Sequence, residues 1–495
     1  NLPCELSVVT LLIRNLKSKG YPFPLVSVQY SGYHTDNSPP SVAVCDIVKE
    51  WNERYAWPKL RNATAQEFLR EIEKGYSDKL PVWRAAYPDW WTDGFGSAAR
   101  ETTASRKTQS DMITVSGMLS MASLGGDKYV HEIHDNVRNI HENLLFYDEH
   151  TFGAAESISS PNTDNSQVQW AEKGSYVWEA LKSTQMLYET AIGRLQGQLY
   201  RSQNPTMTVF NPSAWDRSSL IELYIDYEVV PNGRPFCIVD ENGNEMKIQP
   251  GRSRNEGRYW LIWAENVPAM GYRTYDIVLG KGSKHDTDNV RVEGLLMEND
   301  FYTIRFAPEG GICSIYDKEL ARELVDADSE WNFGAPIYES LNGDRHQMER
   351  KVFVNYRRSG MTDVRYTSCK EGEIFKSISY VGKLEGCDPD YGVRIEVRLY
   401  NNVKRIEMSY ALIRKPETDP SGLYVAFPMS IQDGKLKFHV PGGVMEAGVD
   451  QIPRTSAAWN TVQNFVSAQN SDMQMIISTD AMPLSMMGEL LNDPY

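Results

Sequence analysis

The rhythm of apolar and polar positions changes near residue 203. Before that point the rhythm is helical. In YVHEIHDNVRNIHENLLFYDE, Val130, Ile133, Val137, Ile140, Leu144 and Tyr147 recur at spacings of three and four, which is one face of a helix. From Trp170 to Tyr200 the pattern repeats through Val177, Leu181, Leu187, Ile192, Leu195 and Leu199. Two or three antiparallel helices are predicted over 97–200. Beyond 203 the runs shorten and alternate, as in SLIELYIDYEVV, YRTYDIVLG, FYTIRFA, VRIEVRLY and RIEMSYALI, and Gly, Pro, Asn and Asp bound them. That spacing predicts antiparallel β-sandwiches.

The first 75 residues read as α/β. ELSVVTLLIRNLKSKG predicts a helix stopped at Gly20, and PLVSVQYSGY predicts a buried strand. The polar loop HTDNSPPS follows. A second helix is predicted from Val42 through Trp51, and ATAQEFLREIEKG is a third, again stopped by a glycine. The fold class is therefore multidomain α and β: an α/β piece, a helical bundle, then antiparallel β-sandwich domains. The boundaries fall at 1–80, 81–203, 204–282 and 283–495.

Composition narrows the partners. The net charge is −15 and no Lys/Arg-rich run occurs, so nucleic acid and anionic membranes are not expected. Apolar stretches are short, as in VVTLLI, far below the roughly 20 residues that span a bilayer. No basic segment followed by an apolar one opens the chain, so no signal peptide is visible. The six cysteines include no C-x-x-C, which disfavours a cysteine-based zinc or redox site. The compartment stays undecided, with a secreted or periplasmic place preferred to the cytoplasm. Twelve Trp and 27 Tyr suit sugar-stacking surfaces or simply an aromatic-rich core.

Three stretches can carry chemistry. In HTDNSPPS, His34 and Asp36 form an H-x-D that could chelate a metal, or Asp36 alone could be a general acid. The same residues also favour a turn. In PDWWTDGFGSAAR, Trp90 and Trp91 beside Asp89 and Asp93 make either a sugar platform or a packed loop. In FYDEHTFGAAES, the apolar stripe continues through Tyr147 to Asp148, which is expected near the buried face at a helix C-terminus. A carboxylate is disfavoured there twice over, by burial and by the dipole, so a cation is expected nearby. Either zinc supplies it, with His150 as a second candidate ligand, or Asp148 pairs with Arg100 or Arg106. Glu149 should point to solvent. His131, His134 and His141 are not spaced as H-E-x-x-H, and His134 and His141 are expected to pack between helices.

These residues resemble those of glycoside hydrolase family 38 α-mannosidases, in a bacterial branch, over nearly the whole length. SVQYSGYHTDNSPPS through WNERYAWPKL is similar to the end of the family's α/β catalytic domain, and LPVWRAAYPDWWTDGFGSAAR to the loop entering its three-helix bundle. VFNPSAW, VPAMGYRTYDI, NDFYTIRFAPEGGICSIYDKELARELVD and VPGGVMEAGVDQIPRTSAAWNTVQNF are similar to its C-terminal sandwich segments. The resemblance implies a zinc-dependent retaining exo-α-mannosidase acting on a mannose-containing oligosaccharide or glycan through a covalent glycosyl-enzyme. It matches Asp36 to the general acid/base. Counting back from Gly153, it matches Asp148 to a zinc-binding histidine and Glu149 to the aspartate after it. Asp in place of His is a departure, and His150 competes for the ligand role. Trp91 matches an aromatic near the substrate, with Trp90 and Asp93 beside it.

The family's first zinc pair and its nucleophilic aspartate lie upstream of the first residue here, and the chain stops at NDPY within a β region. It is therefore expected to be a fragment, binding zinc poorly and inactive alone. The competing reading is a non-catalytic carbohydrate-binding or structural fragment. Linkage preference and homo-oligomerisation are left open.

Overall fold

The computed structural model of the chain describes residues 6–29, 38–87, 93–150, 152–153, 156–199, 202–282, 289–290, 294–341, 343, 347, 352–453, 455, 459–479 and 483–487. It has two compact units, residues 1–84 and 85–495.

The first unit holds α1 (Leu6–Ser18), α2 (Ala43–Arg54) and α3 (Ala65–Tyr76). Gly20 sits at φ +71° just past α1, a conformation glycine adopts without strain. Trp51, 2% exposed, anchors the unit, and its indole N–H donates to Pro58 O at 2.8 Å. Thr64 belongs to an Asn62-Ala63-Thr64 sequon and forms a capping box with Glu67 at the start of α3. That helix runs through Gly75 before ending at Tyr76.

The strand expected from Pro24 is not formed over 24–29: these residues are irregular, and Val28 is 69% exposed. A strand needs a hydrogen-bonding neighbour, and the described residues of this unit contain only helices. An apolar run alone does not supply the ladder.

The second unit opens with the short α4 (Asp93–Ser97), then α5 (Ala99–Leu124), α6 (His134–Asp148) and α7 (Asp164–Gln196). The beginning of α5 meets the end of α6, where Thr102 Oγ1 lies 2.9 Å from the Tyr147 hydroxyl. Beyond its other end, Gln198 after α7 donates to Ala122 O at 3.1 Å. The helices therefore run up, down and up. The predicted α6 stripe is the core: Ile133, Ile140, Leu144 and Tyr147 are buried, and Val137 packs against them.

On α7 the buried face is Val177, Ala180, Thr184, Leu187, Ala191 and Leu195, while Ile192 is exposed and Leu199 falls beyond the helix. Small residues occupy positions that a search for large apolar ones skips. His131, His134 and His141 are exposed, so none packs between helices. Thr163 caps α7 by accepting from Ser166 N at 3.3 Å, and Ser166 Oγ ties the turn to Ser160 O at 3.0 Å. Thr163→Ala is expected to cost the bundle about 1 kcal/mol, read as a lowered urea midpoint with an unchanged slope.

The helical texture ends at Gln196 and the first strand starts at Thr206. Six strands follow: β1 (Thr206–Asn211), β2 (Arg217–Asp226), β3 (Phe236–Val239), β4 (Ile248–Ser253), β5 (Gly257–Val267) and β6 (Gly271–Leu279). They form two antiparallel sheets, in orders β1-β6-β3 and β2-β5-β4. Met207, Ile238 and Ile277 of one sheet share a core with Ile225, Ile248 and Ile262 of the other, so the pair is a small sandwich.

In the larger β region, a five-stranded sheet includes Thr362–Lys370, Phe375–Lys383, Val393–Tyr400 and Ile406–Ala411. A four-stranded sheet including Tyr302–Phe306 and Ile312–Asp317 packs on it. Their inward residues Ile304, Phe306 and Ile315 meet Ile378, Ile395 and Val397. All five quoted alternating runs of the sequence contain strands of this region or of the small sandwich. Among the described residues, no helix is long and apolar enough to cross a membrane.

Candidate functional site

The sequence-selected acids and histidine lie at the end of α6. Tyr147, the last inward residue of the stripe, is 1% exposed, and burial pushes its phenol up to about 12. Its ring meets Phe95 of α4 at 5.7 Å and Phe152 at 6.0 Å, both edge-on. Phe152 in turn meets Trp170 of α7 at 4.7 Å. This aromatic cluster seats α4 against the end of α6. Two stretches that are some fifty residues apart, DGFGS and FYDEH, are thereby brought together.

Asp148 comes one position after Tyr147 and turns toward α5 instead of the core. Ser105 Oγ donates to Oδ1 at 3.3 Å and Gln109 Nε2 to Oδ2 at 3.1 Å. The residue as a whole is exposed. Its carboxyl nevertheless lies close enough to α5 to lose water, and this desolvation raises its pKa. The Ser105 hydrogen bond and the charges of Lys173 and Arg106 act the other way, more weakly. Asp148 was expected at the buried face. Helical phase located it correctly beside Tyr147, but a neighbouring helix with two polar donors offers the carboxylate a better place than an apolar core.

Two cations, Lys173 and Arg106, act on Asp148 as nearby charges, and Lys173 is also bonded to this helix end. This lysine lies on the buried face of α7, and its Nζ donates to Phe146 O at 2.9 Å and to Glu149 O at 2.8 Å. It also lies 3.3 Å from Glu149 Oε2. An ammonium thus closes the carbonyl end of α6 and offsets its dipole. Of the two arginines considered from sequence, Arg100 stacks over Trp178 at 5.2 Å, and Arg106 acts on Asp148 only as a nearby charge. Glu149 is the C-cap, exposed as expected, and its carboxylate lies 2.5 Å from His150 Nδ1.

Asp36, Trp90 and Trp91 lie outside the described residues. Asp93 is the first residue of α4. Among the described residues no group of three His, Cys, Asp or Glu converges as a metal site. The donor chemistry at the end of α6 still suits a divalent cation: Asp148 is a carboxylate whose charge is disfavoured where it stands, and an imidazole follows two residues later. Sequence reading missed Ser105, Gln109 and Lys173. A signal for Lys173 was available: it falls four residues before Val177 and seven before Ala180, on the buried stripe.

The chain matches two family models in order along its length. Residues 89–195 match the alpha mannosidase middle domain, and residues 297–482 match the glycosyl hydrolases family 38 C-terminal domain. Together they span more than half of the chain. The chain belongs to glycosyl hydrolases family 38. The first match covers the bundle with the site just described, and the second covers most of the larger β region.

The fold is similar to the crystal structure of an alpha-mannosidase from Enterococcus faecalis V583, with a TM-score of 0.60 and 11% identity. That likeness covers 91% of this family 38 chain and 57% of the other, so the chain spans little more than half of that protein's length. No curated protein matches the sequence.

Proposed function

We propose that this family 38 protein is a zinc-dependent retaining α-mannosidase that removes α-linked mannose from glycans. The observation that carries the reading is the middle-domain match. It runs through both the DWWTDGF loop and the LLFYDEH helix end, the stretches assigned to sugar and metal.

Asp36 is assigned the general acid/base role. In the first half-reaction its proton passes to the leaving glycosidic oxygen; in the second, the same carboxylate takes a proton from water. A second carboxylate attacks the anomeric carbon, and that role is assigned to no residue of this chain. Trp90 and Trp91 supply an apolar face for the sugar ring, while Asp93 and Glu149 accept from its hydroxyls. Asp148 holds zinc, with His150 as the alternative ligand. When bound, zinc would anchor the hydroxyls at C2 and C3 of the mannose and favour the charge of the transition state.

The test is hydrolysis of an aryl α-mannoside by the full-length protein, before and after zinc is stripped by a chelator and restored. Activity should fall on stripping and return with zinc, and the first product seen by NMR should be the α-anomer. Failure to cleave any α-linked sugar in a metal-dependent way ends the reading. Asp148→Ala should lower the zinc content. If zinc is unchanged in Asp148→Ala and falls in His150→Ala, the ligand is His150.

A further inference from the structure

The outer face of the β2-β5-β4 sheet meets the outer face of the five-stranded sheet without filling the space between them. One side of the junction is sealed. Leu261 and Trp263 pack with Ile374, Phe375 and Tyr400, and buried Gln249 accepts from the backbone N–H groups of Ile374 and Phe375, each at 3.2 Å. Beside the seal lies a cleft of about 640 Å³. Its size is within the roughly 300–1,000 Å³ of small-molecule pockets, and junctions between domains are where such pockets form.

The lining is cationic although the chain carries a net charge of −15. Arg398 is already engaged: it lies 2.7 Å from Glu396 and 3.3 Å from Glu407, over the Phe375 ring. Arg252, Arg258 and Lys370 also line the cleft. Among the described residues, no carboxylate pairs with any of these three. Arg252 lies over the Tyr259 ring at 4.3 Å, whereas Arg258 pairs across the ladder with Ile225 of the small-sandwich core and lies over the Trp260 ring at 5.9 Å. Lys370 and Arg252 are exposed, and an anion entering the cleft would pair with both. Opposing these cations, the lining offers Glu222 and the Arg398-paired Glu396, together with the apolar walls of Leu220 and Leu261. Charge for an anion and a carboxylate for hydroxyls thus share one pocket.

We infer that this cleft binds a small organic phosphate of hexose-phosphate size, with its phosphate on Lys370 and Arg252 and its hydroxylated body against Glu222. The site stands apart from the end of α6 and does not depend on the mannosidase reading.

Isothermal titration calorimetry with glucose 6-phosphate tests it on the full-length protein. One saturable site is expected, weakened by added salt. Lys370 and Arg252 are exposed, so K370Q and R252Q should fold normally, and each should weaken binding about tenfold. Glucose should give no saturable heat. The inference is overturned if glucose 6-phosphate does not bind at millimolar concentrations, or binds the K370Q/R252Q double variant as tightly as the original. It is also overturned if inorganic phosphate matches glucose 6-phosphate, since the pocket would then read no more than a bare anion.

Discussion

Asp36→Asn is expected to cut turnover of an unactivated α-mannoside by about 10²–10⁴-fold in the full-length protein, the range typical for removing a general acid/base. The amide keeps the shape of the side chain but has no proton to give at neutral pH. The leaving oxygen must then depart with its negative charge. The size of the loss should therefore follow the leaving group: large for a methyl mannoside, smaller for a dinitrophenyl mannoside, whose phenolate leaves without help. The basic limb of the pH–rate profile should vanish with the acid that produces it. Zinc content should stay at the original level, because the role assigned to Asp36 is proton transfer and not ligation. Kinetics with the two mannosides, a pH profile and metal analysis decide it. An equal loss on both substrates, or a parallel fall in zinc, would remove Asp36 from the acid/base role.

Elements were legible in the sequence where large apolar side chains carry the period. The α6 stripe and the alternating strands beyond Thr206 are of that kind. The helix α5 was not legible in this way. The buried face of its first half is Thr102, Ala104, Ser105 and Thr108, so burial there leaves almost no hydrophobic trace, and the apolar residues Met112, Val115, Met118, Leu119 and Met121 come only in its second half. These small polar groups are stable in the interior because each finds a local partner. Thr108 Oγ1 donates to Ala104 O at 2.7 Å, and Thr102 Oγ1 donates to Phe95 O at 3.0 Å. The segment 24–29 failed in the opposite sense: it has the composition of a strand but no pairing partner among the described residues. The two site stretches could each be picked out alone. Their meeting through Phe95, Tyr147 and Phe152 depends on tertiary packing that neither stretch encodes. The charge argument at Asp148 named Arg106, which acts there as a nearby charge, and passed over Lys173, because a lysine on the buried stripe of α7 looks like a solvent-facing residue until the helical phase is drawn.

That lysine carries the largest stability effect expected here. Lys173→Met should destabilise the bundle by roughly 2–4 kcal/mol, since charge-assisted hydrogen bonds to two main-chain carbonyls are lost at once and water replaces them only in part. Methionine preserves most of the volume, so packing against the bundle should survive, and the loss should concentrate where Phe146 O and Glu149 O become unpaired. Those carbonyls close the last turn of α6. Amide exchange should therefore accelerate first from Leu145 to Glu149, while the strands beyond Thr206 keep their protection. Lys173→Arg should restore only part of the original stability, because the larger planar guanidinium must fit a buried site that holds a compact ammonium. Uniform loss of protection across the bundle, or a change below about 0.5 kcal/mol, would mean that water caps this helix end as well as Lys173 does. A local loss at the end of α6 would also bear on the metal assignment. Asp148 follows Tyr147 in that same turn, and a frayed turn should hold zinc less tightly even though Lys173 itself is no ligand.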